Sequence, residues 1–301
     1  MTAIIQTNNL TKHFAQDIVI QNVTMTIQKG EIYGFLGPNG SGKTTVMKML
    51  LNLLKPTSGE IFIQGQSVQA TSYNYLKNIG NLIEYPILYE EQSALKNLEL
   101  HCMYMGEQHI SNIPEVLVLV GLKDVGAKKV KSYSLGMRQR LAIAKAIVTK
   151  PDILILDEPI NGLDPIGIKE MRELLLQLKQ QGMTILISSH IVAEIESIAD
   201  TIGILKDGQL IEEVSMKALT KKNATSLEII VNDGNEAKQL LEEVFSLSIH
   251  TQDDTLYIEH FSGKPSTIVK FLVEHKIEVE KVESHHQTLE QYFVDRIEGG
   301  F

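Results

Sequence analysis

The chain holds a single cysteine, Cys102, among its 301 residues. No intrachain disulfide is possible, and a reducing cytosolic setting is expected. No run of about 18 apolar residues occurs, so no segment is expected to span a membrane. The opening stretch, MTAIIQTNNLTKHF, lacks the basic-then-apolar order of a signal peptide, and none is expected. Basic residues are also in deficit, with 28 Lys and Arg against 37 Asp and Glu, for a formal net charge of −9. Nucleic-acid partners usually require a basic face, so none is expected. The lysines of KDVGAKKVKSY (123–133) lie in a region of mixed charge and read as solvated surface.

At 43% hydrophobic, a chain of this length can bury a full core and is expected to form two domains. Short β-branched runs alternate with helical periodicity to about residue 215, the pattern of an α/β architecture. EIYGFLG (31–37), DILILDEP (152–159) and MTILISSH (183–190) are near-continuous apolar runs, as buried parallel strands tend to be. Between about 86 and 145 the strand signal fades, which predicts a helical insertion. Its Met103 and Met105, with Met137, are expected as core and interface filler. LTKKNAT (219–225) is a polar break. The segments after it follow the order β-α-β-β-α-β, predicting a small ferredoxin-like α+β domain closed by a last helix at 288–297. The expected domains are residues 1–220 and 221–301.

GPNGSGKTT (37–45) matches the phosphate-loop pattern G-x-x-x-x-G-K-[ST], set between a strand and the helix TTVMKMLLNLL. Gly37, Gly40 and Gly42 let backbone N–H groups turn toward a phosphate, and the following helix N-terminus adds positive potential. Asn39, Ser41 and Thr45 complete the cradle. Lys43 is placed to reach the β- and γ-phosphates of a nucleotide, and the Thr44 hydroxyl to ligate Mg²⁺. Asp157, at the end of an apolar strand, is the matching Mg²⁺ carboxylate, and Glu158 the candidate general base for a water attacking the γ-phosphate. A second anion site is suggested by SYSLGMRQRLAIAKAIV (132–148), whose Ser134 and Gly136 stand at the start of a helix.

The order of these motifs resembles the nucleotide-binding subunit of ATP-binding cassette (ABC) transporters over about residues 3–215. The resemblance implies a P-loop ABC ATPase cassette that binds ATP and Mg²⁺ as one of two copies arranged head to tail. Tyr133, Ser134, Leu135, Gly136 and Met137 stand where the family carries LSGGQ, which binds the γ-phosphate of ATP held by the opposing subunit. Leu135 and Met137 depart from that motif; Ser134 and Gly136 keep its phosphate chemistry. Phe14 falls where an aromatic stacks on adenine. Asp164, in NGLDP (161–165), is implied as a contact to the partner's cradle, and His190 as the switch residue at the γ-phosphate. Most members place a glutamine in the loop occupied here by NIGNLIEYP (78–86), where Glu84 stands. Glu84 is therefore expected in catalysis and as an anionic Mg²⁺ ligand, and in the contact to the membrane partner. Glu84 together with SLGMRQRL resembles the bacitracin- and lantibiotic-immunity branch, whose ATPases power export of envelope-directed peptides. That likeness implies separate permease subunits and a location at the cytoplasmic face of the membrane. A drug or lipid exporter, or a soluble ABC-type ATPase, is the rival expectation.

Overall fold

The computed structural model describes every residue except 1, 16, 69–72, 85, 223–224, 246, 262, 286–288 and 299–301. The chain divides into two compact units, Met1–Ser215 and Met216–Phe301, five residues short of the boundary read from the polar break.

The first unit contains two sheets. Strands β1 (Ala3–Phe14), β2 (Asp17–Gln28), β4 (Ser58–Ile63) and β5 (Gln66–Ser67) form an antiparallel sheet in the order β2-β1-β4-β5. The second sheet runs β10-β9-β3-β8-β7-β6. It is built from β3 (Ile32–Leu36), β6 (Ile79–Leu82), β7 (Ile153–Leu156), β8 (Thr184–Ser189), β9 (Thr201–Lys206) and β10 (Gln209–Ser215). All its pairings are parallel except that of β9 with β10. Every residue of β3, β7 and β8 is buried, which is why these strands read as unbroken apolar runs. Helix α1 (Lys43–Leu50) follows β3, and one buried cluster joins Ile5 and Ile27 of the antiparallel sheet, Val46 and Met47 of α1, and Ile155 and Leu186 of the parallel sheet.

The helical insertion carries α2 (Ala94–Met105), α3 (Ile113–Leu119) and α4 (Leu135–Ile147). Ser93 and Ser134 cap α2 and α4 through their hydroxyls, satisfying otherwise orphaned N–H groups. Met103 and Met105 are 57% and 43% exposed, so they lie on the outer side of α2 rather than in a core. Lys129 and Lys131 are exposed and pair with Glu91, as the mixed charge of that surface implied. Helix α5 (Pro165–Gln180) starts at Pro165, which suits a first helical turn, and Asp164 caps it. The short α6 (Val192–Glu196) lies between β8 and β9.

The second unit opens with α7 (Met216–Lys222) and continues β11 (Thr225–Val231), α8 (Gly234–Phe245), β12 (Ile249–Gln252), β13 (Thr255–Phe261), α9 (Pro265–Glu274), β14 (Val279–His285) and α10 (Leu289–Glu298). Its antiparallel sheet has the order β12-β13-β11-β14, the arrangement expected of a ferredoxin-like unit. Leu227, Ile229 and Leu256 of the sheet pack with Leu241 of α8 and Ile268 of α9.

Leu186 is fully buried where the sheets and α1 meet. Leu186→Ala is expected to lower unfolding free energy by about 2–5 kcal/mol, as lost burial and a residual cavity require. Urea denaturation of the purified chain measures it, and a change under about 1 kcal/mol would contradict this packing.

Candidate nucleotide site

The parallel register brings the ends of β3, β8 and β7 side by side. Phe35 pairs with Ser188, Leu36 with Ser189, and Leu156 with Ile187. The segments leaving these carboxyl ends therefore converge, the usual place for a ligand in an open α/β sheet. They are the glycine loop 37–42, Asp157–Glu158 and Ser188–His190.

The glycine loop has the shape that its residues predict. A Cβ at Gly37 would come within 2.3 Å of Leu205 O, and Gly42 holds a φ of +105° at the start of α1. The Lys43 ammonium is buried and donates to Gly37 O at 2.8 Å and Pro38 O at 3.1 Å, with Glu158 Oε1 at 3.7 Å. Burial pulls its pKa below the ordinary lysine value, and the carboxylates of Glu158 and Asp157 oppose that shift. Asn39, Gly40, Gly42, Lys43, Thr44 and Thr45, with Val19 of β2 and Glu158, line a cavity of about 220 Å³. The Ser41 hydroxyl is buried without a hydrogen-bond partner among the described residues. An orphaned donor beside a glycine loop fits a phosphate oxygen acceptor.

Asp157 is held from two sides. Thr44 Oγ1 donates to its Oδ2 at 2.7 Å, and Ser188 Oγ donates to its Oδ1 at 2.6 Å. Ser188 Oγ also accepts from Glu158 N–H at 2.9 Å, so one hydroxyl fixes both neighbours. Thr44 and Asp157 thus present converging oxygens, the donor type that Mg²⁺ prefers. Glu158 has a φ of +48°, a left-handed backbone uncommon for a residue with a side chain, and its Oε2 lies 2.9 Å from His190 Nδ1. Glu194 of α6 is a further charged neighbour; its carboxyl is pushed up by burial and opposed by the His190 charge.

The structure therefore gathers Gly37, Asn39, Gly40, Ser41, Gly42, Lys43, Thr44, Thr45, Asp157, Glu158 and His190 at one end of the sheet. Ser134, Gly136 and Asp164 are not part of that cavity. They form a separate neighbourhood, where a Cβ at Gly136 would meet Leu163 at 3.7 Å and one at Gly162 would meet Leu135 at 3.1 Å. Ser134 is exposed, and Asp164 Oδ1 accepts from Gly167 N–H at 2.7 Å. Phe14, at the end of β1, is 45% exposed rather than packed in the core, with Lys12 Nζ 5.0 Å from its ring centre. Glu84 is not drawn to Asp157. Its carboxylate is 60% exposed and pairs with Lys48 Nζ of α1 at 2.5 Å, on a backbone with φ of +60°. Its loop is tied to the site through the main chain, since Asp157 N–H donates to Leu82 O at 2.8 Å.

Ser188, Val19 and Glu194 were not singled out from the sequence. For Ser188 the signal was present: a hydroxyl inside a fully buried strand requires a partner, and the nearest strand end offered a carboxylate.

A glycine-loop anion cradle backed by paired carboxylates on parallel strand ends defines a P-loop nucleotide-binding protein. The family model described as "ABC transporter" matches residues 20–161. The uncharacterized ABC transporter ATP-binding protein YcbN of Bacillus subtilis is 51% identical over 99% of this chain and 98% of its own length. The bacitracin transport ATP-binding protein BcrA of Bacillus licheniformis is 42% identical over 100% and 99%, and the lantibiotic transport ATP-binding protein SrtF of Streptococcus pyogenes 44% over 70% and 90%. A solved ATP-binding subunit of an ABC transporter is similar with a TM-score of 0.64 at 29% identity, over 72% of this chain and 91% of that one. A dimeric ATP-binding cassette in a post-hydrolysis state, bound to ADP and Pi, matches with a TM-score of 0.64 at 27% identity, over 71% and 99%. The chain belongs to the ABC transporter family as its ATP-binding subunit, an ATPase coupled to transport.

Ser188→Ala frees the Asp157 carboxylate and removes the acceptor of Glu158 N–H. Mg²⁺-dependent nucleotide affinity is expected to fall about 10–100-fold, as for other partners that orient a metal-holding carboxylate. Titration with and without Mg²⁺ reads this; an unchanged affinity would contradict the bridging role.

Proposed function

We propose that this subunit powers export of cell-envelope-directed peptides of the bacitracin or lantibiotic kind, protecting the cell that carries it. The observation that supports this reading most is the full-length likeness to a bacitracin transport ATP-binding protein, which extends through the second unit. Among the described residues no helix is long and apolar enough to cross a membrane, so separate permease subunits supply the path and hold this chain at the cytoplasmic face.

In this reading the cradle binds ATP, with Lys43 and the Ser41 hydroxyl on its phosphates and Phe14 against the adenine. Thr44 and Asp157, with Glu84 once released from Lys48, would hold Mg²⁺, which neutralises charge on the phosphate oxygens. As the water oxygen bonds to the γ-phosphorus, Glu158 accepts the water's proton and the bond between the γ-phosphorus and the bridging oxygen breaks, releasing ADP and phosphate. His190, already hydrogen-bonded to Glu158, orients that carboxylate and meets the γ-phosphate. Two copies of the chain stand head to tail. Ser134 and Gly136, at the N-terminus of α4, close over the partner's ATP, with Asp164 alongside. ATP binding favours the closed pair because only that state offers both sets of contacts, and hydrolysis removes them.

Cells carrying this chain with its permease subunits are to be challenged with bacitracin, several lantibiotics and unrelated drugs, against Glu158→Gln as control. Protection confined to the peptides and lost in the variant is the expected result. Protection against unrelated drugs alone would replace the peptide with a drug or lipid substrate. Equal susceptibility throughout would contradict the exporter reading.

The cradle itself is tested separately with Lys43→Ala. Loss of a charge-assisted phosphate contact of about 1.5–3 kcal/mol weakens ATP binding by about 10–100-fold. Equal affinity by calorimetry would contradict the assignment of Lys43.

A further inference from the structure

Lys12 and Phe14 lie two residues apart at the end of β1, and their side chains meet: Lys12 Nζ stands over the Phe14 ring, 5.0 Å from its centre. A cation over a ring face is attracted by the ring's quadrupole. The ammonium is also pinned on its other side. It donates to Lys55 O at 2.8 Å, in the segment that follows α1. That segment is itself tied to β1, since His13 N–H donates to Thr57 Oγ1 at 3.0 Å and Thr57 N–H donates to Thr11 O at 2.8 Å. Lys12 is thus half-buried and held in place, with much of the rotamer freedom of a free lysine already lost.

The ring has two faces, and Lys12 takes one of them. Among the described residues no other aromatic ring stacks on Phe14, and nearly half of its surface is open to water. An aromatic face left open in this way suits a flat partner such as a base. The β1–β2 hairpin sets where that face stands. Phe14 pairs with Asp17, two residues along β2 from Val19, which lines the cradle cavity. Two residues of strand span roughly 7 Å. The hairpin is also fixed against the glycine loop: a Cβ at Gly42 would meet Ile20 Cδ1 at 2.4 Å and Val19 O at 3.3 Å, and Gln21 N–H donates to Gly208 O at 2.8 Å. The ring therefore keeps one station relative to the cradle, and the Lys12 clamp decides which of its faces is open.

We propose that Lys12 is a positioning residue for the nucleotide base: its ammonium, held by Lys55 O, occupies one face of Phe14, fixes the ring's orientation and leaves the opposite face for adenine. The inference rests on the reading of Phe14 as the adenine contact, and it deepens that reading by assigning what holds the ring. Lys12 acts through the ring and not on the phosphates, which distinguishes it from a lysine that merely attracts an anion.

The sequence contains no tryptophan, so Phe14→Trp places a single indole at the hairpin end. Adenine stacked on that indole quenches its emission. Titration of the purified chain with ADP is expected to quench it, and inorganic diphosphate is expected to leave it unchanged. Lys12→Met keeps the stem and removes the ammonium. It is expected to weaken ADP binding about 2–5-fold by calorimetry in the chain with Phe14, the scale of an exposed cation–ring contact, and to have no further effect in Phe14→Ala. Lys12→Arg, which keeps a cation over the ring, is expected to retain the affinity. Quenching by ADP with equal affinity in Lys12→Met would overturn the role of Lys12 and leave stacking on Phe14 intact. ADP binding without quenching, or equal quenching by diphosphate, would overturn the reading of Phe14 itself. An equal loss from Lys12→Met in Phe14→Ala would show the ammonium acting on the phosphates by charge, and would overturn the inference. A loss in Lys12→Arg as large as in Lys12→Met would assign the effect to packing of the hairpin, with the same consequence.

Discussion

The Ser188 hydroxyl is the point on which the nucleotide site turns. It is fully buried at the end of β8, and it donates to Asp157 while accepting from the N–H of Glu158. A polar group in that position is costly unless both of its roles are filled, so the two strand ends are locked at one height. That lock sets Asp157 against Thr44 on the helix that opens the cradle, and it sets Glu158 between Lys43 and His190. The parallel register of β3, β7 and β8 makes the arrangement possible, and the hydroxyl makes it specific.

The same geometry accounts for how charge is kept in the cradle. The Lys43 ammonium is satisfied by two carbonyls of its own loop and faces Glu158 across 3.7 Å. A phosphate offers that ammonium a stronger anion without requiring the loop to refold. Glu158 and Glu84 both hold left-handed backbones, which a residue with a side chain adopts at a cost of about 1 kcal/mol or more.

The cradle and the buried strands were legible in the sequence because each rests on local pattern. Glycine spacing and unbroken aliphatic runs do not depend on distant partners. The ferredoxin-like order of the second unit was legible for the same reason. The antiparallel sheet of the first unit was not, since polar residues interrupt the alternation of β1 and β2 and their pairing slips register at four places. Contacts between distant residues were equally hidden. Ser188 reaches Asp157 across 31 residues, and Lys48 reaches Glu84 across 36. Nothing local marks Lys48 as the partner that draws Glu84 aside. Met103 and Met105 read as core and interface filler, and α2 turns both outward, which removes the core part of that reading.

The central claim is that Glu158, fixed by Ser188 and facing Lys43, removes the proton of the attacking water in an otherwise intact ATP site. Release of phosphate from ATP with Mg²⁺ by wild type and by Glu158→Gln, with ATP binding measured in the same samples, tests it most directly. The account predicts that phosphate release falls by about 100-fold or more while ATP binding is retained. Phosphate release near the wild-type rate in the variant would contradict it.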